Sequence, residues 1–339
     1  MKKIEINASS SYDIVIAENY DLLLDNIKKT VKGKIMVVYD KNTYTIFSER
    51  VKGQLSEYKI VEEILPVGEN TKSIDYFLLL TESLVKNGFN RSDCIISVGG
   101  GVVGDLCGFV ASTYMRGIDY IACPTTLLAC VDSSVGGKTA INLPYGKNLI
   151  GSFYQPKLVY ISLTAIQTLP DREIECGIGE IIKYAFLDKK ITEQDVRNKD
   201  FASLIEKCVE IKKSIVEQDE YDLSLRAKLN LGHTVGHAIE SLSEYKYSHG
   251  LCVLNGIRKI IDLSCKYYGY GEEKRKEFFD LLYSFPHEEI FDFALEEILD
   301  KIKVDKKCGD GYVNLALIKD IGKVEIVKFT FVDLENFLK

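Results

Sequence analysis

The sequence predicts an α/β fold, in which an N-terminal Rossmann-like domain with a parallel sheet precedes a mainly α-helical C-terminal domain. Two observations support this fold class. The first half alternates short apolar runs with helix-like stretches, whereas long helical patterns dominate from about Leu169 onward. The length of 339 residues is also about twice the ~150 residues of a typical domain. We therefore predict domains over residues 1–168 and 169–339, with the active site in the cleft between them.

The elements of the first domain are predicted from apolar runs and their spacing. Apolar residues recur at helical spacing in Ser73–Asn87, whereas Cys94–Val98 is a continuous apolar run followed at once by glycines. Because strands and helices alternate, we expect βαβ units and a parallel sheet. The predicted strands are Lys34–Asp40, Ile60–Pro66, Cys94–Val98 and Asp119–Pro124, and the predicted helices are Ser73–Asn87 and Val103–Met115.

The second domain is predicted to consist mostly of helices, followed by short strands or a hairpin near the end of the chain. No internal repeat or low-complexity linker interrupts it. The predicted helices are Glu173–Leu187, Phe201–Glu217, Arg226–Glu244, Leu251–Tyr268, Glu272–Ser284 and Glu289–Val304, and the predicted strands are Tyr312–Ile318 and Lys323–Val332.

Composition and charge exclude several classes of protein. Hydrophobic residues make up 46% and charged residues 27%, as in ordinary globular domains. The longest uncharged stretch, Leu158–Pro170, is shorter than the ~20 residues of a membrane-spanning helix. The net charge of −7 and the lack of a basic block argue against a nucleic-acid partner. The nine cysteines form no CxxC pair, and no apolar segment follows the first lysines, so we expect reduced thiols and a cytoplasmic location.

A glycine-rich segment, Gly99–Gly104, contains a GxGxxG pattern between a predicted strand and a predicted helix. Such glycines let the backbone approach a pyrophosphate, while the helix N-terminus supplies N–H donors. Asp40 and Glu69 follow other predicted strands and would lie at the same sheet edge. Dinucleotide binding and a tight strand-to-helix turn are the two interpretations of this segment.

Four polar residues with spacings of 4, 3 and 4 would share one face of the predicted helix Arg226–Glu244. They are Arg226, Asn230, His233 and His237. His249 could meet that face from the next helix, and two imidazoles with a carboxylate make a recognisable divalent-metal set. Glu180 is the candidate carboxylate, and the alternative is that it forms a surface ion pair with Lys183.

A third cluster spans Asp132–Asn142 and Gly146–Asn148. Its Gly-Lys-Thr sequence resembles the end of a phosphate-binding P-loop, but the GxxxxGK[ST] spacing is absent, so we reject that motif. Lysine and asparagine side chains in a glycine-rich loop still suit an anionic, oxygen-rich ligand. Lys212, Lys306 and Arg116 could contribute, although composition alone favours a solvated surface charge for each of them.

Together, these motifs resemble the 3-dehydroquinate synthase family of sugar-phosphate cyclases, and they occur in the family's order from Asp40 to Lys306. Three positions depart from the family pattern, namely Leu251 in place of an acid, Asp222 in place of Glu, and Met115 in place of an aromatic residue. The matching segments are Gly99–Asp105, Tyr114–Gly117, Pro124–Leu128, Asp132–Asn142, Gly146–Asn148, Gly179–Tyr184, Leu225–Ala227 and Asn230–Glu240.

The resemblance implies a phosphate lyase of the shikimate pathway, which leads to chorismate and the aromatic amino acids. It would convert 3-deoxy-D-arabino-heptulosonate 7-phosphate to 3-dehydroquinate and phosphate. The steps would be transient oxidation by NAD, phosphate elimination, re-reduction, ring opening and an intramolecular aldol closure. The alternatives are an NAD- and metal-dependent polyol dehydrogenase of the glycerol dehydrogenase type and a non-catalytic relative that only binds ligands.

The resemblance also implies site residues. Glu180, His233 and His249 would hold one divalent ion, zinc or cobalt, and Arg116 would reach the neighbouring subunit of a homodimer. NAD would bind at Asp40, Asn42, Glu69, Lys72, Gly101, Val102, Val103, Gly104, Asp105, Thr125, Thr126, Asp132, Lys138, Lys147 and Thr168. The phosphorylated sugar acid would contact Arg116, Asp132, Lys138, Asn148, Lys183, Lys212, Arg226, Asn230, His237 and Lys306. The expected catalytic residues are His237, Lys138, Arg226, Asn148, Lys183 and Asp222.

Overall fold

The computed structural model describes residues 1–290, 292–304 and 311–338. The chain divides into two compact units: the first contains Met1–Leu169 and Lys212–Tyr221, and the second contains Pro170–Ile211 and Asp222–Lys339. Within the described ranges, no helix is long and apolar enough to cross a membrane. Lys306 lies outside the described residues, so its predicted role stays a prediction.

The strands are β1 (Lys2–Ile6), β2 (Tyr12–Ala17), β3 (Ile35–Asp40), β4 (Ile60–Leu65), β5 (Cys94–Gly99), β6 (Asp119–Pro124), β7 (Lys138–Leu143), β8 (Gly146–Phe153), β9 (Leu158–Ser162), β10 (Tyr312–Asp320) and β11 (Lys323–Thr330).

The α-helices are α1 (Leu23–Ile27), α2 (Lys41–Gln54), α3 (Ile74–Lys86), α4 (Gly101–Thr113), α5 (Leu163–Ile166), α6 (Asp171–Leu187), α7 (Glu193–Asn198), α8 (Phe201–Val216), α9 (His233–Leu242), α10 (His249–Tyr268), α11 (Glu272–Leu282), α12 (Leu295–Val304) and α13 (Phe331–Leu338).

The first unit is built on a seven-stranded sheet in the order β1-β2-β9-β6-β5-β3-β4. Only β1 pairs antiparallel, with β2, and the other neighbours are parallel. The central strands β3, β5 and β6 are almost wholly buried, because a parallel sheet is covered on both faces. The predicted α/β fold class and the parallel sheet are confirmed, and all four predicted strands are present.

Several elements of the first unit were not predicted. They include β1, β2, β9 and α2, as well as an antiparallel hairpin formed by β7 and β8. The expected glycine-rich loop over Asp132–Asn148 is therefore wrong. Instead, a π-helical turn, Ala129–Ser133, leads into the hairpin. Gly136 and Gly137 connect the two with φ values of 91° and 68°, a conformation that favours glycine.

The second unit is mainly helical, as predicted, and its last two strands form an antiparallel hairpin. The single helix predicted over Arg226–Glu244 is wrong. A short 3₁₀ helix, Leu225–Asn230, ends before Gly232, whose φ is 75°, and α9 starts only at His233. The apolar pattern continues across this break, which is why periodicity did not reveal it. The helix predicted over Glu289–Val304 is also shorter, since α12 begins at Leu295.

Candidate active site

Three helices of the second unit approach one another closely at glycines. A Cβ atom on Gly179 of α6 would lie 2.4 Å from the carbonyl oxygen of Gly250 in α10. A Cβ atom on Gly256 of α10 would lie 2.0 Å from the carbonyl oxygen of Gly232, at the start of α9. Such separations leave no room for a larger side chain. The glycines therefore allow α6, α9 and α10 to bring their polar side chains together.

The side chains brought together are Glu180 from α6, His233 from α9 and His249 from α10. Glu180 Oε1 lies 3.2 Å from His249 Nε2 and 3.4 Å from His233 Nε2. In a tetrahedral zinc site with bonds of about 2.0–2.1 Å, neighbouring ligand atoms lie about 3.3–3.4 Å apart. Both Glu180 oxygens are buried, and neither makes a well-aligned hydrogen bond within the described part of the chain. This donor set fits one divalent ion.

His237 lies beside this set and offers an alternative ligand. The ligand nitrogens of His233, His237 and His249 all lie within 4.8 Å of one another. In the Glu180 set one carboxylate oxygen lies 3.2 Å and 3.4 Å from two imidazole nitrogens, and the carboxylate supplies a negative charge that a third neutral imidazole would not. We therefore assign proton transfer, and not metal binding, to His237. This assignment stays a prediction.

Hydrogen bonds to the far sides of the imidazole rings orient both histidines. His233 Nδ1 lies 3.1 Å from the carbonyl oxygen of Leu231, and His249 Nδ1 lies 3.4 Å from Glu240 Oε2. A donor on Nδ1 leaves the Nε2 lone pair free for a metal, the arrangement typical of metal-bound histidine. Sequence reasoning missed this role of Glu240, although the residue ends the Asn230–Glu240 motif. Glu240 gives His249 an acidic partner despite Leu251.

The electrostatics of the cluster favour an ionised Glu180. Burial alone would raise the pKa of Glu180, but Lys183 and His233 hold it well below its usual range. Burial lowers the pKa of His233. Burial also acts to lower the pKa of His249, but contacts with Glu180 and Glu240 outweigh it and raise that pKa to about 9. The alternative of a surface Glu180–Lys183 pair is wrong, because each side chain is only 1% exposed, although the two lie 2.5 Å apart.

The remaining predicted residues of the second unit are placed by several elements. Lys183 follows Glu180 by one turn of α6. Arg226 is 2% exposed and lies with Asn230 in the 3₁₀ helix, and Asp222 precedes that helix with a left-handed φ of 59°. The four-residue stripe predicted on one helix is thus divided between a 3₁₀ helix and α9.

In the first unit, the glycine-rich segment connects β5 to α4, as predicted. A Cβ atom on Gly100 would lie 2.9 Å from Thr126 Cγ2, and one on Gly101 would lie 3.1 Å from Ser133 Oγ. A pocket that is partly open to solvent adjoins these glycines and is also lined by Asp105 and Lys138. Ser133 Oγ is buried beside it and has no hydrogen-bond partner among the described residues. This cradle fits a phosphate-containing cofactor such as NAD.

The other predicted NAD residues lie mainly near carboxyl ends of strands. Asp40 ends β3, and its carboxylate accepts a hydrogen bond from Thr43 N at 2.9 Å, so it also caps α2. Asn42 lies in the first turn of α2, and Thr125 and Thr126 follow β6. Val102–Asp105 belong to the first turns of α4, and Thr168 follows α5.

One hydrogen-bond network unites four of the predicted residues. Lys72 Nζ donates to Asp105 Oδ2 and to Asn148 Oδ1, each at 2.5 Å. Asn142, which was not predicted as a site residue, donates from Nδ2 to Glu69 Oε1 at 2.7 Å. Its Oδ1 accepts from Asn148 N at 2.9 Å. The network ties the loop after β4 to the β7–β8 hairpin.

A second contact in the first unit joins two predicted residues. Lys212 Nζ lies 2.8 Å from Asp132 Oδ1 and donates to the carbonyl oxygen of Asp132 at 2.7 Å. Lys212 is only 5% exposed, so the interpretation as a solvated surface charge is wrong for this residue. Lys138 begins β7 and Lys147 lies in β8. Arg116 is exposed, with a left-handed φ of 68°.

Comparison with known proteins identifies the family. The family profile described as 3-dehydroquinate synthase N-terminal matches residues 62–176, and the profile described as 3-dehydroquinate synthase C-terminal matches residues 177–308. The chain is 40% identical to a 3-dehydroquinate synthase from Thermoanaerobacter pseudethanolicus, over 97% of this chain and 96% of that protein.

Solved structures share the fold. A 2-deoxy-scyllo-inosose synthase, solved with carbaglucose-6-phosphate, NAD+ and Co2+, has a TM-score of 0.89 at 22% identity, over 99% of each chain. A glycerol dehydrogenase from Schizosaccharomyces pombe has a TM-score of 0.67 at 17% identity, covering 96% of this chain and 87% of that chain. The sequence matches thus agree with the structural ones, and the chain belongs to the 3-dehydroquinate synthase family.

Proposed function

We propose that the protein converts 3-deoxy-D-arabino-heptulosonate 7-phosphate to 3-dehydroquinate and phosphate, the second step of the shikimate pathway. The observation that carries this proposal is the convergence of Glu180, His233 and His249 in a chain that matches this family over nearly its whole length. A bound NAD would supply a reversible hydride acceptor, and a divalent ion held by these residues would supply a Lewis acid.

The residues of the second unit would bind and deprotonate the substrate. His237 would accept the proton of a substrate hydroxyl, since a histidine titrates near neutral pH. Arg226 suits the substrate carboxylate, because a guanidinium can donate two parallel hydrogen bonds to it. Lys183 and Asn230 would contact the substrate, and Lys183 also supports the ionised Glu180. Asp222 would support Arg226.

The residues of the first unit would hold NAD and the phosphate group. Gly101–Asp105, with Glu69 and Lys72, would bind NAD. Lys138, Lys147 and Asn148 would neutralise and orient the phosphate, which then leaves as an anion. Lys212, which is buried, fixes the half-buried Asp132 by an ion pair, so that this carboxylate keeps one position beside the ligands.

We further propose a cytoplasmic homodimer. The exposed Arg116 lies in a stretch with left-handed backbone at Met115 and Arg116, φ 49° and 68°. Holding such a conformation costs energy, which supports a specific role for this stretch. In the proposed dimer, Arg116 contributes to the phosphate site of the neighbouring subunit.

The test is turnover with catalytic NAD. Incubation of the metal-loaded protein with the heptulosonate phosphate and NAD at far below the substrate concentration should release one phosphate per substrate, and NADH should not accumulate. NADH accumulation in step with substrate loss would favour a net oxidation instead. Absence of both phosphate release and NADH formation would favour a non-catalytic protein.

The polyol dehydrogenase alternative is less favoured. Glycerol dehydrogenase shares the fold at a lower TM-score, and neither family profile that matches the chain describes a dehydrogenase. Glycerol with stoichiometric NAD should therefore give no NADH, as measured at 340 nm.

A further inference from the structure

Asn142 lies at an irregularity of the β7–β8 hairpin. The antiparallel pairing of Ile141 with Ile150 shifts to that of Leu143 with Gly146, so the register changes at Asn142. Bulges of this kind redirect a side chain and free backbone groups from the ladder. Asn142 N accordingly donates outside the hairpin, to the carbonyl oxygen of Lys72 at 2.8 Å.

The side chain of Asn142 joins two segments of the first unit. Its Nδ2 donates to Glu69 Oε1 at 2.7 Å, in the loop after β4. Its Oδ1 accepts from Asn148 N at 2.9 Å, within the hairpin. An asparagine amide offers one donor group and one acceptor, and both are used here by different segments.

The backbone of Asn148 depends on these contacts. Its φ of 56° is left-handed, a conformation that residues other than glycine adopt at some cost and that asparagine tolerates better than most. Asn142 Oδ1 accepts a hydrogen bond from the backbone amide of Asn148. Lys72 Nζ donates to Asn148 Oδ1 at 2.5 Å and also to Asp105. Asn142 therefore closes a cycle of contacts that runs through Lys72, Asn148 and Glu69.

We propose that Asn142 is a positioning residue that couples the NAD-binding loop to the phosphate-binding end of the β7–β8 hairpin. The inference rests on the proposed function, which assigns Glu69 and Lys72 to NAD and Lys147 and Asn148 to the phosphate. When NAD fixes the loop, the bonds through Asn142 fix Asn148 as well, so the two ligands bind cooperatively.

The experiment measures binding of NAD and of a phosphonate analogue of the substrate, each alone and in the presence of the other, by calorimetry on the metal-loaded protein. The wild type should bind the analogue at least about 5-fold more tightly with NAD present, a modest allosteric coupling. In Asn142→Ala this factor should fall to about 1, and kcat/KM should fall about 10- to 100-fold because Asn148 is misplaced.

Asn142→Asp separates the two halves of the contact. Aspartate keeps an acceptor for Asn148 N but places a carboxylate against Glu69. It should weaken NAD binding, while the affinity for the analogue alone stays closer to that of the wild type. Because aspartate has nearly the volume of asparagine, this variant should fold even if Asn142→Ala does not. Its affinities for NAD and for the analogue then test the proposal.

Tyr145→Ala is the matched control, because Tyr145 lies in the turn of the same hairpin and is 90% exposed. It should keep the wild-type coupling and kcat/KM. Independent binding of the two ligands to the wild type would overturn the proposal. Unchanged coupling in Asn142→Ala would overturn it too, leaving Asn142 a residue that only shapes the hairpin.

Amide hydrogen exchange tests the contact without any ligand. Asn148 N–H should be protected in the wild type and in Asn142→Asp, and should exchange faster in Asn142→Ala. Equal exchange in all three would overturn the positioning role, even if the protein bound neither NAD nor the analogue. Failure of the proposed function would instead appear as a wild type that releases no phosphate while this protection is intact.

Discussion

The carboxylate of Glu240 determines how His249 can act, although nothing local in the sequence connects the two residues. Glu240 ends one motif on α9, and His249 begins α10. Their contact at 3.4 Å requires the turn between these helices, which brings the ends of α9 and α10 together. At the scale of single residues, the proposed metal ligands follow from residue type and motif, whereas the contact between Glu240 and His249 does not.

The first prediction concerns His249 as a ligand. His249→Ala leaves only Glu180 and His233 of the proposed set, so metal affinity should fall by more than the ~10–100-fold typical of losing a residue that only orients a ligand. The loss of metal affinity in Glu240→Gln should lie within that range, since His249 remains as a ligand. Competition with a chromogenic chelator measures both variants. Full metal content in His249→Ala would refute the assignment.

The second prediction concerns His237. His237→Asn keeps a polar group of similar size, so the variant should retain metal and NAD but lose ~10²–10⁴-fold in rate, the usual range for one acid–base group. Metal analysis beside steady-state kinetics measures the two effects separately. Loss of metal with the rate loss would show that the three imidazoles are the ligands. A normal metal content together with a normal rate would show that His237 only contributes to packing.

At the scale of elements, the β7–β8 hairpin carries two lysines that the proposal assigns to the phosphate. Lys138→Ala and Lys147→Ala should each weaken binding of the phosphonate analogue far more than that of NAD. A charge-assisted hydrogen bond contributes ~1.5–3 kcal/mol, which is about 10- to 150-fold in affinity. The control is Lys157→Ala, because Lys157 lies just before β9 and the proposal assigns it to no ligand. It should change neither the affinity for the analogue nor that for NAD. Loss of NAD affinity alone would mean that the hairpin serves the cofactor.

Helix packing gives a prediction of its own. Gly179→Ala would place a Cβ atom 2.4 Å from a backbone oxygen of α10, which cannot move aside as a side chain can. Overpacking of this kind costs ~1–3 kcal/mol, and it would also separate Glu180 from His249. We expect a lower thermal midpoint together with weaker metal binding.

Gly53→Ala is the matched control for this substitution. Gly53 lies in α2, and a Cβ atom added there would meet no described atom within 4 Å. Replacing a helical glycine by alanine at this position should stabilise the protein by up to ~0.5–1 kcal/mol, with unchanged metal affinity. A Gly179→Ala variant that behaves like Gly53→Ala would show that α6 and α10 are not in tight contact.

At the scale of the whole molecule, stability should depend on pH through Asp320 of the second unit. Asp320 Oδ1 lies 2.5 Å from Lys274 Nζ, and Oδ2 lies 3.4 Å from Lys189 Nζ. The hydrogen bond from Lys274 lowers the pKa of Asp320. A carboxyl whose pKa is lowered by folding stabilises the protein above its unfolded pKa of about 3.9, and this contribution is lost as the pH falls through the lower, folded value.

Asp320→Asn tests that dependence. At pH 7 it should destabilise the protein by only ~0.5 kcal/mol, because Asp320 is 40% exposed and solvent weakens the pair. The difference from the wild type should shrink as the pH falls below about 4. Urea midpoints measured at both pH values provide the comparison. A difference that grows in acid would contradict the sign of the pKa shift.

The amino-acid sequence by itself determined the α/β class, the central strands, most helices and the polar residues that carry the proposed chemistry. These follow from apolar periodicity and from residue types in local motifs. Only the tertiary structure showed that the chain breaks between a 3₁₀ helix ending at Asn230 and α9, with Gly232 just before α9, and that β7 and β8 form a hairpin. A left-handed φ or a strand pairing depends on distant chain segments, which a local pattern does not record. The same reason explains Glu240 and Asn142, whose roles arise from contacts between separate elements.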